Sequence, residues 1–156
     1  FKEYVADWEK YDSKVQMMVS LNNSFENGLG VTLPKGVIRL FKEQDGCFQF
    51  IGLDHINKTW KDQFVRIRVG VDPDITFEGK QATYEEVNGS LLTSYELRLL
   101  NLKKEEVNVT VVEHVPEGWK VVEASHDFTQ ASNHTLEFKI SIKPGEEAAL
   151  TYKVKR

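Results

Sequence analysis

The stretch NGLGVTLPKG, residues 27–36, gathers Gly28, Gly30 and Gly36 around Pro34 and raises the possibility of a phosphate-binding loop. Such a loop ends in a helix whose first amide groups face the anion, and its Walker form closes on Gly-Lys followed by Ser or Thr. Here the alternating run VIRLFKE follows, and no Ser or Thr comes directly after Gly36. We therefore predict that Gly28, Gly30, Pro34 and Gly36 form structural turns, with positive φ at Gly28 and Gly30.

The other residue types that carry catalysis follow no familiar catalytic or metal-binding spacing. The histidines His55, His114, His126 and His134 form no H-E-x-x-H pattern, no serine lies in a G-x-S-x-G turn, and Cys47 is the single cysteine. No catalytic residue, metal or cofactor is therefore predicted. A pair of carboxylates brought together only by the fold, as hydrolysis of a glycoside would require, is left open.

One group of cationic and aromatic residues forms a candidate binding patch. Arg66 and Arg68 share a face of the predicted strand FVRIRVGV, opposite its apolar residues, and Arg39 could join them from a neighbouring strand. Trp60 lies in a predicted connection, where an exposed ring can stack on a sugar or anchor a partner, or else pack in the core. The alternative for the arginines is that they pair with carboxylates of the chain itself.

Composition limits the classes of partner. The 156 residues include 20 Lys and Arg and 24 Asp and Glu, which gives a net charge of -4. A nucleic-acid partner is disfavoured, because binding phosphates requires a concentrated basic surface. Direct membrane insertion is also disfavoured, because the apolar runs are far shorter than the roughly 20 residues that span a bilayer.

Apolar residues alternate at period two from end to end, which predicts an all-β chain. The dipeptide Asp45-Gly46 separates two alternating runs and indicates a hairpin turn. All four prolines are predicted to lie between strands, and they are Pro34, Pro73, Pro116 and Pro144.

Three regions are predicted along the chain. Residues 1–12 are expected to be a lead-in from a larger chain, residues 13–74 an N-terminal β lobe, and residues 75–156 an immunoglobulin-like antiparallel β-sandwich. The long segment Asp74 to Val87 is expected to be shared between the two lobes.

Two stretches carry a resemblance to a known family. They are NSFENGLGVTLPKGVIRLFKEQDGCFQFIGLDHINKTWKD and YELRLLNLKKEEVNVTVVEHVPEGWKVVEASH. Over about residues 20–156 the chain resembles the uncharacterised C-terminal β-rich domain of bacterial mucoidy-inhibitor-like proteins. The resemblance implies a β-rich module that follows a coiled-coil region and a second domain, often behind an export signal. It carries over no catalytic residue.

The leading expectation is therefore a non-enzymatic interaction or structural module of a larger bacterial protein located outside the cytoplasm, in the periplasm or cell envelope or secreted. Its partners would be other domains of the parent protein or another protein. Two alternatives stay open: a hydrolase with an acidic pair assembled in three dimensions, and a carbohydrate-binding module. A hydrolase should show ionisable groups that converge in a cleft, whereas a sugar binder should show a flat row of exposed rings.

Overall fold

A computed structural model describes residues 2–156, except for the side chains of residues 80–82. Eleven strands, one short α-helix and one 3-10 turn make up the regular structure of this described part. In chain order they are β1 (Lys2–Asp7), α1 (Trp8–Tyr11), β2 (Lys14–Asn22), the 3-10 turn (Phe25–Asn27), β3 (Gly36–Gln44), β4 (Cys47–Ile56), β5 (Phe64–Val87), β6 (Ser90–Asn101), β7 (Val107–His114), β8 (Lys120–Ala124), β9 (Phe128–Ser132), β10 (Thr135–Ile142) and β11 (Glu147–Lys155).

The strands account for 68% of the chain and the helices for 5%, which confirms the predicted all-β class. Nine strands follow the hydrogen-bonded order β8-β11-β6-β5-β2-β1-β7-β10-β9, while β3 and β4 form a separate two-stranded sheet. The β1–β7 pair is parallel, and β6, β10 and β11 pair with their neighbours in the antiparallel sense. The more specific immunoglobulin-like arrangement stays a prediction.

Contacts divide the chain into two compact units. The N-terminal unit contains the residues up to Glu3 and Gln16–Val71, and the C-terminal unit contains Tyr4–Val15 and Asp72–Arg156. Within the segment predicted to be a lead-in, residue 1 lies outside the described residues, and the remainder forms β1, α1 and the residue that follows them. The predicted boundaries at residues 12 and 74 remain predictions about domains.

The core of the N-terminal unit lies between the β3–β4 hairpin and the strand segments beside it. Ile56, Val65 and Ile67 are buried, and partly buried side chains from the hairpin and from β2 pack against them. Beyond this core, residues 41–51 of the hairpin are exposed on both faces, and we call them the hairpin arm. Asp45 and Gly46 at its tip both have positive φ, which is the pattern of the predicted two-residue turn.

The core of the C-terminal unit is built from alternating rows of buried residues on several strands. On β10 every second residue is buried, and on β11 Leu150, Tyr152 and Val154 repeat the pattern. The rings of Phe138 on β10 and Tyr152 on β11 lie 5.5 Å apart, although these two strands are not hydrogen-bonded neighbours. Side chains of β10 and β11 therefore meet in one core.

Strand β5 differs from the predicted pattern, because it continues through Pro73 instead of stopping there. The ladder between β5 and β6 starts at Ile75, paired with Asn101. Proline has no N–H to donate, and at position 73 the ladder with β6 does not need one. The prediction that Pro73 separates two strands was therefore wrong.

Candidate binding site

The predicted arginine patch is only partly a free surface. The Arg66 Nε donates to Glu3 Oε1 at 2.7 Å, and Ser20 Oγ donates to the same carboxylate oxygen. The Arg66 side chain is 28% exposed and that of Glu3 is 11% exposed, so this ion pair is half-buried. Arg66 therefore helps to hold the N-terminal unit together. Arg68 is exposed, and its backbone N–H donates to Asp54 Oδ2 at 2.7 Å.

Arg39 does not join the other two arginines. Its strand β3 pairs with β4, where Arg39 lies opposite Leu53. The neighbours of Arg39 on the chain, Ile38 and Leu40, pack against the core cluster that contains Val65 and Ile67. Since successive side chains point to opposite faces of a strand, Arg39 and Arg66 both point away from this core, from opposite sides of it.

Trp60 has an anchored backbone and an exposed ring. Its N–H donates to Gln63 Oε1 at 2.8 Å, and its carbonyl accepts from Asn23 Nδ2 at 2.9 Å. Trp60 is 54% exposed, and the Lys58 Nζ lies 3.9 Å from the centroid of its ring. Of the two alternatives for Trp60, the structure shows the exposed one, and the ring face carries a lysine of the same connection.

The glycine-rich stretch turns the chain into a strand, as predicted. Gly28 and Gly30 have φ of 74° and 87°, which confirms the predicted positive values. A Cβ on Gly30 would lie 2.7 Å from the backbone nitrogen of Phe25, so both conformation and space require glycine there. Pro34 lies in the connection, and Gly36 is the first residue of β3.

A fully buried asparagine organises this turn. Asn23 Nδ2 donates to the carbonyl of Val31 at 2.6 Å, and Asn23 Oδ1 accepts from the Gly30 N–H at 3.1 Å. Together with the bond to Trp60, these contacts satisfy backbone groups that would otherwise lack partners inside the loop. The stretch is therefore structural, and no helix follows it to face a phosphate.

The hairpin arm exposes aromatic rings, but they form no flat platform. The rings of Phe41 and Phe50 are 53% exposed each and lie 5.7 Å apart at an interplanar angle of 68°. A sugar ring stacks on a flat aromatic face, and this edge-to-face pair does not offer two coplanar faces. The Phe41–Phe50 pair therefore does not form the flat row of exposed rings that a sugar binder should show.

A pocket in the C-terminal unit brings together residues that no sequence pattern groups. On β7 the buried row Val107, Val109 and Val111 continues to Glu113, which puts a carboxyl group on the face that points to the core. On β11 the buried row continues to Tyr152 in the same way. Polar groups thus replace apolar ones where these two rows reach the pocket.

Glu113 and Tyr152 form a close pair. The Tyr152 hydroxyl donates to Glu113 Oε2 at 2.5 Å. Burial raises the pKa of Glu113 from its ordinary 4.5 to about 7, with Asp7 and Glu9 adding to the rise and the Tyr152 hydrogen bond opposing it. Burial and the neighbouring Glu113 raise the pKa of Tyr152, which therefore stays a hydroxyl donor.

The other oxygen of this carboxyl group, Glu113 Oε1, is buried and has no hydrogen-bond partner among the described residues. A buried acceptor without a partner carries a desolvation cost of about 1–3 kcal/mol, more if charged. Glu113 is one of the residues that line a pocket, so a donor of a molecule bound there would satisfy this acceptor.

Helix α1 contributes Trp8 and Glu9 to the pocket lining, and Asp7 holds the start of this helix. Asp7 Oδ1 accepts from the Lys10 N–H at 3.0 Å as the N-cap, and Asp7 Oδ2 lies 3.1 Å from His114 Nε2. Asp7 thereby ties the start of α1 to the end of β7. The helix contributes Trp8, whose ring packs edge-on against Phe77 with centroids 5.8 Å apart.

The pocket has a volume of about 240 Å³. Its lining combines aromatic, apolar and acidic side chains with one glycine and one histidine: Trp8, Glu9, Gly79, Tyr95, Leu97, Val112, Glu113, His114 and Tyr152. Within this described lining, no side chain is a lysine or an arginine. The pocket therefore presents aromatic faces and acceptors rather than positive charge.

No group of three or more His, Cys, Asp or Glu side chains in the described residues is arranged to hold a metal ion. In the same part of the chain, no helix is long and apolar enough to cross a membrane. Comparison with protein-family models, curated proteins and solved structures gives no match.

Sequence reasoning missed Glu113 and Tyr152, although a signal was present. The run VNVTVVEH carries valine at every second position and then glutamate at the next inward position. Period-two counting therefore places the Glu113 carboxyl on the buried face. Its partner Tyr152 lies 39 residues further along the chain, so the pairing itself needed the fold.

Proposed function

We propose that this chain is a non-enzymatic ligand-binding module of a larger, exported bacterial protein, and that the pocket beside Glu113 is its binding site. The observation that supports this proposal best is the buried Glu113 Oε1, an acceptor without a partner among the described residues, in a residue that lines an aromatic-rich pocket. The bacterial source and the location outside the cytoplasm rest on the family resemblance alone.

Binding fits the pocket better than catalysis, because Tyr152, Asp7 and His114 are engaged in hydrogen bonds that hold the site together. The Tyr152 hydroxyl donates to Glu113 Oε2, and Asp7 Oδ2 lies within hydrogen-bond distance of His114 Nε2. In a hydrolase a second carboxylate would have to act on the reacting atoms with Glu113. Glu9 on α1 is the residue in the lining that could do so.

That second candidate function, a hydrolase, is supported by the burial of Glu113, which raises its pKa to about 7, a value that suits a general acid. Chromogenic glycosides test it directly. A hydrolase would release the chromophore and lose that activity in both Glu9→Gln and Glu113→Gln, whereas a binding module would release none.

The binding proposal is tested with a screen of small neutral, cationic and anionic fragments by ¹⁵N NMR. The indole N–H of Trp8, assigned by its loss in Trp8→Phe, is the reporter, since Trp8 lines the pocket while Trp60 lies in the N-terminal unit. We expect at least one fragment to shift the Trp8 signal and not the Trp60 signal. If every fragment leaves the Trp8 indole unmoved, the pocket is not a binding site.

Protein partners remain part of the proposal. The hairpin arm exposes Phe41, Phe48 and Phe50, and Arg68 is exposed elsewhere in the N-terminal unit. Exposed aromatic side chains of this kind are enriched in contact surfaces between proteins. The partners proposed are other domains of the parent protein or another protein.

A further inference from the structure

We propose that the pocket binds an organic primary amine in its protonated form, with the ammonium group donating to Glu113 Oε1 and the carbon body against Trp8 and Tyr95. This inference rests on the proposed function, because it names the ligand class of the same pocket. Three independent features of the lining support it: the buried acceptor, the sign of the charges, and the aromatic walls.

The acceptor requires a donor on the ligand. Glu113 Oε2 already accepts from Tyr152, whereas Oε1 is buried and has no partner among the described residues. A ligand that brings an N–H to Oε1 satisfies this oxygen, and a ligand without a donor leaves it unsatisfied. Primary ammonium groups carry three N–H donors, while quaternary ammonium groups carry none.

Charge favours a cation over an anion. The described lining contains the carboxyl groups of Glu9 and Glu113, with Asp7 just behind them, and no lysine or arginine side chain. An ammonium group paired with the Glu113 carboxylate forms a charge-assisted hydrogen bond, which is shorter and stronger than a neutral one. An anionic ligand would instead meet these acidic groups, with no lysine or arginine in the described lining to compensate them.

The walls offer aromatic faces to a cation. Tyr95 and Tyr152 stack with centroids 5.0 Å apart and an interplanar angle of 20°, and Trp8 lines the same pocket from α1. A cation near an aromatic face is attracted by the ring quadrupole, most strongly at tryptophan. A neutral alcohol of the same shape would gain the contact area without this attraction.

Binding should release a proton from Glu113. The titratable groups that face this carboxyl group are Tyr152 on β11, Tyr95 on β6, Asp7 and Glu9 at α1, and His114 on β7. Half of the free protein holds the Glu113 proton near pH 7. The ammonium group pairs with the carboxylate form, so affinity should rise about tenfold between pH 6 and pH 8 and then level off.

The experiment compares cyclohexylamine with cyclohexanol, two probes of nearly equal shape that differ in charge. Titrations follow the Trp8 indole N–H at pH 6, 7 and 8. We expect the amine to bind more tightly than the alcohol at pH 8 and to weaken about tenfold at pH 6. Calorimetry at pH 7 in two buffers of different ionisation enthalpy should show proton release with the amine.

Two variants sharpen the test. Glu113→Gln keeps the shape and removes the charge, so amine affinity should fall by about tenfold or more and lose its pH dependence. Glu117→Gln removes an equal charge from an exposed turn and should leave amine binding unchanged. The pH series in the unmodified protein needs no variant, so the test stands even if Glu113→Gln folds poorly.

The outcomes separate this inference from the proposed function. If the alcohol binds as tightly as the amine with no pH dependence, the ammonium inference is wrong and the pocket remains a binding site. If neither probe shifts the Trp8 indole signal but another fragment does, the proposed ligand class is wrong and the pocket is still a binding site. If no compound shifts the Trp8 indole signal, both the binding site and its ligand class are wrong.

Discussion

The indole ring of Trp8 occupies the space where a side chain at Gly79 would be. A Cβ on Gly79 would lie 2.8 Å from the indole Cε3, closer than such atoms approach in proteins. We expect Gly79→Ala to displace Trp8 from β5 and to lower the free energy of unfolding by about 1–3 kcal/mol, because overpacking forces neighbouring groups to shift.

Urea unfolding with tryptophan fluorescence measures this effect. Gly70→Ala is the matched control, since Gly70 lies on the same strand, has no positive φ, and leaves open space within 4 Å of the point that a Cβ would occupy. Equal stability of the two variants would show that Trp8 is not held against β5.

Glu113 should make stability depend on pH. Its pKa is raised to about 7 in the folded protein by burial, against an ordinary 4.5, so the folded state holds a proton that the unfolded state has lost between these values. The stabilising contribution is therefore complete below pH 4.5 and is lost as pH rises through 7. The loss amounts to about 3 kcal/mol.

Glu113→Gln should remove most of this decline. Unfolding free energies from urea melts at pH 5 and pH 8 would be compared for the unmodified protein, Glu113→Gln and the exposed control Glu117→Gln. An identical pH profile for all three proteins would contradict the raised pKa of Glu113.

Gly30 should tolerate substitution less well than Gly28. Both have positive φ, and a Cβ there costs about 1 kcal/mol from backbone conformation. At Gly30 a Cβ would also lie 2.7 Å from the Phe25 backbone, whereas at Gly28 there is open space. We expect Gly30→Ala to lower the melting temperature more than Gly28→Ala does. The reverse order in a thermal melt would refute the clash.

Arg66 and Arg68 should separate into a structural and a surface residue. Arg66→Ala breaks the half-buried pair with Glu3 and should cost about 1 kcal/mol or somewhat more, whereas Arg68→Ala should cost under about 0.5 kcal/mol. Added salt should narrow the difference, because screening weakens an ion pair that solvent reaches. Chemical unfolding at low and high salt checks both statements. A larger loss for Arg68→Ala would reverse the assignment.

The sequence predicts the fold class well because alternation is a local property. The alternating runs VIRLFKE and FVRIRVGV both lie in strands, and the positive φ at Gly30 follows from the residue type within one turn. Strands β1 and β9 escape prediction. Strand β1 is short and its parallel partner β7 lies about 100 residues away, and β9 has only five residues. Even the face of a strand can depend on distant neighbours. On β2 the side chains of Met17 and Val19 are half-buried, whereas Gln16 and Met18 on the opposite face are buried, so both faces of this strand are covered.

The pocket is a second case in which contacts between distant residues could not be predicted from the sequence. The inward position of Glu113 can be counted from the valines before it, but its pairing with Tyr152 depends on how β7 and β11 meet. Arg39 is a case in which the sequence suggests a contact that the fold does not make. Its residue type and strand suit a patch with Arg66, but its strand pairs with β4, where Arg39 lies opposite Leu53. The face on which a strand residue lies can be derived from the sequence, whereas the contacts between residues far apart in the chain cannot.

The hairpin arm has a practical consequence, because Cys47 stands next to its tip. Cys47 is exposed, and it is the single cysteine of the chain. A maleimide-linked fluorophore or nitroxide would therefore attach at one defined position without mutagenesis. Since Cys47 lies in the N-terminal unit and the pocket lies in the C-terminal unit, such a label would report on the arm while leaving the pocket lining chemically unaltered.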